Sequence, residues 1–190
     1  MAFRKNLIAA LACACASTLI APVHAESQFV SGAGSATARL DIRVVIPRIL
    51  YLAVGTGHAT LANNNTIDLL TFDYTTAAST VGNGTPSAAQ SVTARVLGNN
   101  GQITIAASGT TGGLSTGGSS PDSIPWTQIG KSSSDATNFN VPAVGSSAQP
   151  VINSGKVTNR TATWSYQYLN SNVVPPGTYD GRITYTASMP

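Results

Sequence analysis

Charged residues make up 9% of this 190-residue chain and aromatics 6%, and cysteine and histidine each occur only twice. Each scarcity excludes something. Both cysteines, Cys13 and Cys15, lie within MAFRKNLIAALACACASTLIAPVHA, where Arg4 and Lys5 precede an apolar run from Leu7 to Ile20 and small residues stand at Val23 and Ala25. That is the layout of a secretory signal peptide, with cleavage expected after Ala25. A membrane anchor fits less well, because the apolar run falls short of the ~20 residues a spanning helix needs and Pro22 closes it. Acylation at Cys13 is a further rival, since Ala10-Leu11-Ala12-Cys13 loosely resembles a lipoprotein box. Once residues 1–25 are removed the chain has no thiol, and an exported domain without disulfides must rest on core burial, for which residues 26–190 are enough.

Arg4 and Lys5 leave with that segment, so the remaining basic residues are nearly balanced by the seven acidic ones. No Lys or Arg run is present to hold a phosphate backbone, which excludes nucleic acid as a partner. Solubility then rests on Ser, Thr, Asn and Gln, a composition common in exported all-β proteins.

Catalytic parts are equally scarce. After cleavage the one histidine is His58, in Gly55-Thr56-Gly57-His58, where a solvated turn residue is the expectation. No zinc-site spacing or calcium-loop pattern occurs, so no metal or other cofactor is expected. Gly113-Leu114-Ser115-Thr116-Gly117 matches the G-x-S-x-G nucleophile elbow in letters alone, because it sits in a Gly/Ser stretch and has no later histidine. Gly130-Lys131-Ser132 matches the end of a phosphate loop, but the first glycine of that motif would fall on Pro125. The expectation is that the protein is not an enzyme.

What the sequence does have is two-residue alternation, with no sustained 3.6-residue apolar period. Ala36, Ala38, Leu40, Ile42, Val44 and Ile46 share one side of an extended chain, and Thr37, Arg39, Asp41, Arg43 and Val45 the other, until Pro47 interrupts the ladder. Residues 49–54 read as the next strand. Residues 67–74 read as a strand with a bulge near Leu70, because the apolar parity switches there. Val92–Leu97 and Ile103–Ala107, separated by Asn99-Asn100-Gly101, read as a hairpin. The glycine- and serine-rich residues 108–123 read as a long surface loop, 124–129 as a short edge strand, and 131–150 as irregular. Arg160–Tyr168 places Ala162, Trp164, Tyr166 and Tyr168 on one face, and Tyr179, Ile183, Tyr185 and Ala187 share a face of the last strand. The fold class expected is an all-β, immunoglobulin-like antiparallel β-sandwich of seven to eight strands in a single domain over residues 26–190.

The N-terminal stretch SATARLDIRVVIPRILYL and the C-terminal stretch VVPPGTYDGRITYTASMP resemble the cysteine-free, capsule-forming and atypical fimbrial subunits of the chaperone-usher pilus class. The first looks like their alternating extension, a proline and the first body strand; the second like a Gly-x-Tyr turn leading into the closing strand. The disulfide typical of the larger pilin branch is missing, and the chain closes on Ser188-Met189-Pro190 rather than on a strand with a penultimate aromatic. The resemblance implies an incomplete sandwich whose missing strand is supplied by a neighbour's extension. Residues 27–46 would be the donor, with Ala36, Ala38, Leu40, Ile42, Val44 and Ile46 entering the neighbour's core. It further implies a homo-oligomer built by strand exchange, a periplasmic chaperone and an usher as assembly partners, and delivery through the periplasm to a surface fibre that meets a host glycan or protein receptor. The competing expectation is a self-complete monomeric binding module of the periplasm or cell surface, taking a glycan with the 108–123 loop and Trp126.

Overall fold

The computed structural model describes residues 26–119 and 121–190, so the expected signal peptide and Cys13 lie outside the described residues. The chain divides at the Ile46–Pro47 junction into an N-terminal segment and a body.

The body is an all-β antiparallel sandwich. Its strands among the described residues are β1 (Leu50–Val54), β2 (Gln90–Gly98), β3 (Ile103–Gly109), β4 (Leu114–Ser115), β5 (Ser123–Ile124), β6 (Ile129–Ser133), β7 (Gln149–Val151), β8 (Thr158–Tyr168) and β9 (Ile183–Ser188). One sheet has the order β1-β2-β8-β6, the other β7-β3-β9, and β4 and β5 form a separate two-stranded piece. The alternation in the sequence explains which faces meet. Along β8, Ala162, Trp164, Tyr166 and Tyr168 are buried, while of the residues between them Thr163 is exposed and Ser165 and Gln167 are half-buried. Ala162, Trp164 and Tyr166 join Ala94 and Val96 of β2, Ile103 and Ile105 of β3, and Val151 of β7 in one core. Trp164 is its centre, fully buried, with ring centroids 5.0 Å from Phe139 and 5.1 Å from Tyr185. Each such large side chain contributes roughly 1.5–3 kcal/mol on burial.

Residues 92–107 do not form the expected hairpin. β2 pairs with β1 and β8, so both of its edges are taken, and β3 crosses to the other sheet to pair with β7 and β9. The turn residues are those a tight reversal needs, with Gly101 at φ 90°, but they make a corner. Asn99 anchors it by accepting from the Ile49 N–H (2.9 Å) and donating to the Pro47 carbonyl (2.8 Å). Residues 67–74 form no strand either. Thr71 takes its hydrogen bonds from the side-chain amide of Gln90 in place of a neighbouring backbone, while Leu70 and Phe72 pack on the core and Ile67 and Leu69 stay exposed.

The expected loop at 108–123 contains β4, which pairs with β5 and is extended by a bridge from Ser115 to Asp180. Pro125 ends that pairing, and the edge strand expected at 124–129 begins instead at Ile129, after a 3-10 turn over Trp126–Gln128. The irregular stretch after β6 carries Phe139, Val141 and Pro142, all buried.

Candidate functional site

Residues 26–46 belong to no strand and no bridge among the described residues, and every one of them is exposed. Ala36 and Ala38 are therefore open to solvent, and Leu40, Ile42, Val44 and Ile46 are 67%, 82%, 76% and 75% exposed. Local contacts are few. The Thr37 N–H donates to Gln28 Oε1 at 3.0 Å, and Arg39 Nε lies 3.8 Å from Glu26 Oε2 in a solvent-screened pair that contributes little. A row of branched aliphatic side chains held in water is the unusual feature, because scattered exposed apolar residues are ordinary and a contiguous ladder of them is not.

The body carries a second unusual feature, at the side where β1 and β9 meet. β1 pairs only with β2 and β9 only with β3, so each has one free edge among the described residues. The two strands belong to different sheets, and their Cα atoms approach within 8 Å. Met189 marks one end of the seam, with its sulfur close to where a Cβ on Gly98 would stand (3.1 Å). From there the seam is lined by Leu52 and Val54 on one side and by Ala187 and Tyr185 on the other, all half-buried against the core.

β1 ends where the Gly55 N–H donates to the Thr93 carbonyl (2.7 Å), and the chain leaves in a loop. Asp68 closes that loop by accepting from the N–H and the hydroxyl of Thr56, each at 2.7 Å. The returning chain then brings Leu70 and Phe72 to the β2 flank beyond the end of β1, held there by Gln90. On the opposite side β6 and β7 are edge strands too, each with one free edge among the described residues, but a connecting segment fills the core between them. Between β6 and β7 the connection delivers Phe139, Val141 and Pro142 into the core, tied by Ser133 Oγ donating to the Phe139 carbonyl at 2.8 Å and by the Ile152 N–H donating to the Asn138 carbonyl at 2.9 Å.

Further along β9, toward β6, the Tyr166 and Tyr185 hydroxyls lie 2.8 Å apart in a small recess with Ile129 and Lys131. Burial pushes the ionisation of both phenols upward, and for Tyr166 the neighbouring Tyr185 adds to the effect. Both phenols are neutral at any physiological pH.

Trp126 borders the same recess as Tyr166 and Tyr185. Its indole N–H donates to the Thr110 carbonyl at 3.0 Å, and its ring rests on Gly109 and Gly181, where an added Cβ would come within 2.5 Å and 2.8 Å of it. His58 sits in a turn with Nδ1 3.1 Å from the Gly55 carbonyl. Among the described residues no three His, Cys, Asp or Glu side chains are grouped as a metal site, and no helix is long and apolar enough to cross a membrane.

The alternation singled out residues 36–46, which form no strand among the described residues and are exposed on both sides, and it missed the seam. Leu52 and Val54 read there only as part of the 49–54 strand, Tyr185 and Ala187 as one face of the last strand, and Leu70 and Phe72 fell in a segment assigned to a strand. Nothing local to these residues says which strand edges stay free. No protein-family model and no curated protein matches the chain.

Proposed function

We propose that the protein is an exported structural subunit of a surface fibre that assembles by strand addition, residues 36–46 of one copy filling the seam between β1 and β9 of the next. The observation that carries this reading is the pairing of two complementary deficits in one chain: an apolar ladder with nothing over it, and a sandwich with two free strand edges over half-buried apolar residues. An added strand gives β9 the main-chain hydrogen bonds its free edge lacks, and its alternate side chains complete the core. Leu40, Ile42, Val44 and Ile46 each stabilise the assembly by about 1.5–3 kcal/mol if fully covered. The seam, longer than β1 because Leu70 and Phe72 extend it, suits an eleven-residue ladder better than a short edge strand would. An immunoglobulin-like connectivity with the place of its last strand open is the form this gives to the sandwich.

Such a subunit is delivered through a cleaved signal peptide and needs its seam covered before polymerisation, which is the work of a periplasmic chaperone and an usher. Deletion of residues 27–46 tests the reading. The shortened chain is expected to stay monomeric on gel filtration and to bind a synthetic 36–46 peptide. A shortened chain that ignores the peptide while folded, or a full chain that is monomeric at all concentrations, would sink it.

A further inference from the structure

A cleft of about 370 Å³ opens on the body away from Trp126, walled by residues 71–77 on one side and 80–90 on the other. Two of its lining residues are aromatic and half-buried, Phe72 and Tyr74. The Tyr74 ring is fixed edge-on against Tyr168, with centroids 5.8 Å apart and planes at 83°. The opposite wall is fixed by Asn170, which is fully buried. Its Oδ1 accepts from the Gly82 N–H at 2.6 Å, its Nδ2 donates to the Thr80 carbonyl at 2.8 Å, and its own carbonyl accepts from the Gly84 N–H at 2.8 Å. Both walls therefore hold their shape before any ligand arrives.

The polar groups of the cleft are only partly used. Asp73 accepts the Thr75 N–H through Oδ1 (2.8 Å) and is also engaged by the Thr75 side chain, while its exposed carboxylate keeps lone pairs open to a ligand. Asn83 Oδ1 is taken by the Thr85 N–H (2.8 Å) and by Asn170 Nδ2 (3.2 Å), which leaves the Asn83 amide N–H groups to donate. The hydroxyls of Thr71, Tyr74 and Thr85 make no hydrogen bond among the described residues. No Lys, Arg or His lines the cleft, and Asp73 is its one charge.

From this set we infer that the cleft is a binding site for a neutral sugar, one pyranose or a disaccharide. A fixed aromatic wall, a carboxylate acceptor, an amide donor and hydroxyls that serve both ways are what the apolar face and hydroxyl rim of a pyranose need. The volume is within the range of small-ligand sites. An anionic sugar is disfavoured by Asp73 and by the lack of any cation opposite it. The cleft shares Phe72 and Gln90 with the far end of the strand seam, so sugar binding is to be measured on monomer and on multimer alike.

Saturation-transfer NMR and calorimetry on the full chain with glucose, galactose, mannose, N-acetylglucosamine, lactose and maltose test this, with choline as a cationic control. Binding in the millimolar range or tighter is expected for at least one sugar, with Kd no weaker than about 10 mM. Tyr74→Ala and Asp73→Asn should each weaken it about tenfold or more, Tyr74→Phe less, and Trp126→Ala not at all. Near-UV circular dichroism checks that each variant is folded. The inference is overturned by no transfer to any of these sugars at about 20 mM, by binding of choline alone, or by sugar binding that survives Tyr74→Ala and is lost in Trp126→Ala.

Discussion

Asn170 is the residue on which the end of the sandwich turns. It is the one non-glycine with positive φ, 55°, among the described residues, a conformation that asparagine adopts more readily than most residues. Its side chain serves loop 80–85 as both acceptor and donor. Asn170→Ala leaves the half-buried Gly82 N–H and Thr80 carbonyl, and the exposed Thr85 carbonyl, without their partner, so a loss of about 1–3 kcal/mol in urea unfolding is expected. Asn170→Gly, which accommodates the backbone but not the hydrogen bonds, should be the milder of the two.

The Tyr166–Tyr185 pair yields a second expectation at this scale. Both phenols ionise above their ordinary value of 10.0 in the folded protein. The unfolded chain therefore releases their protons first, and stability that is complete below about pH 10 declines as the pH rises beyond it, by up to about 1.4 kcal/mol per unit for each phenol. Urea melts between about pH 9 and 11 should show that decline, and Tyr185→Phe should make it shallower.

Among the elements, β9 shows best what sequence alternation does and does not specify. Its residues Ile183, Tyr185 and Ala187 turn inward as alternation requires, and β3 satisfies one of its edges. In a monomer the outward amides of the free edge are expected to exchange rapidly. Hydrogen exchange should show those amides becoming protected when the 36–46 peptide is added, while the amides that face β3 change little. A peptide carrying Asp in place of both Ile42 and Val44 should give no protection, since it would place two charges inside the core. β2 and β3 give the complementary lesson. Asn99-Asn100-Gly101 identifies a turn from local chemistry, yet whether a turn closes a hairpin or a corner depends on whether the preceding strand still has a free edge. β8 and β1 occupy both edges of β2, and that information is not local.

For the molecule as a whole, the division at Ile46–Pro47 separates an exposed segment from a body with its own core. Brief trypsin treatment of monomer is expected to cut first after Arg39 and Arg43, leaving the body intact on mass spectrometry. In multimers those two sites should resist cleavage, because the residues around them would be held in a neighbour's sheet. Equal cleavage in monomer and multimer would mean that the assembly uses another surface.

The sequence by itself determined the all-β class, the inward faces of β8 and β9 and the core position of Trp164, because each depends on a period of two within a few residues. It did not determine that 67–74 would be held by a glutamine side chain, that β4 and β5 would form inside a glycine-rich stretch, or that residues 92–107 would span two sheets. Only the tertiary structure decided which edges were used and which were left, and so where a seam could exist. Side-chain direction follows from neighbouring residues, whereas edge pairing is a competition among segments far apart in the chain, whose outcome depends on which of them reach the same backbone at once.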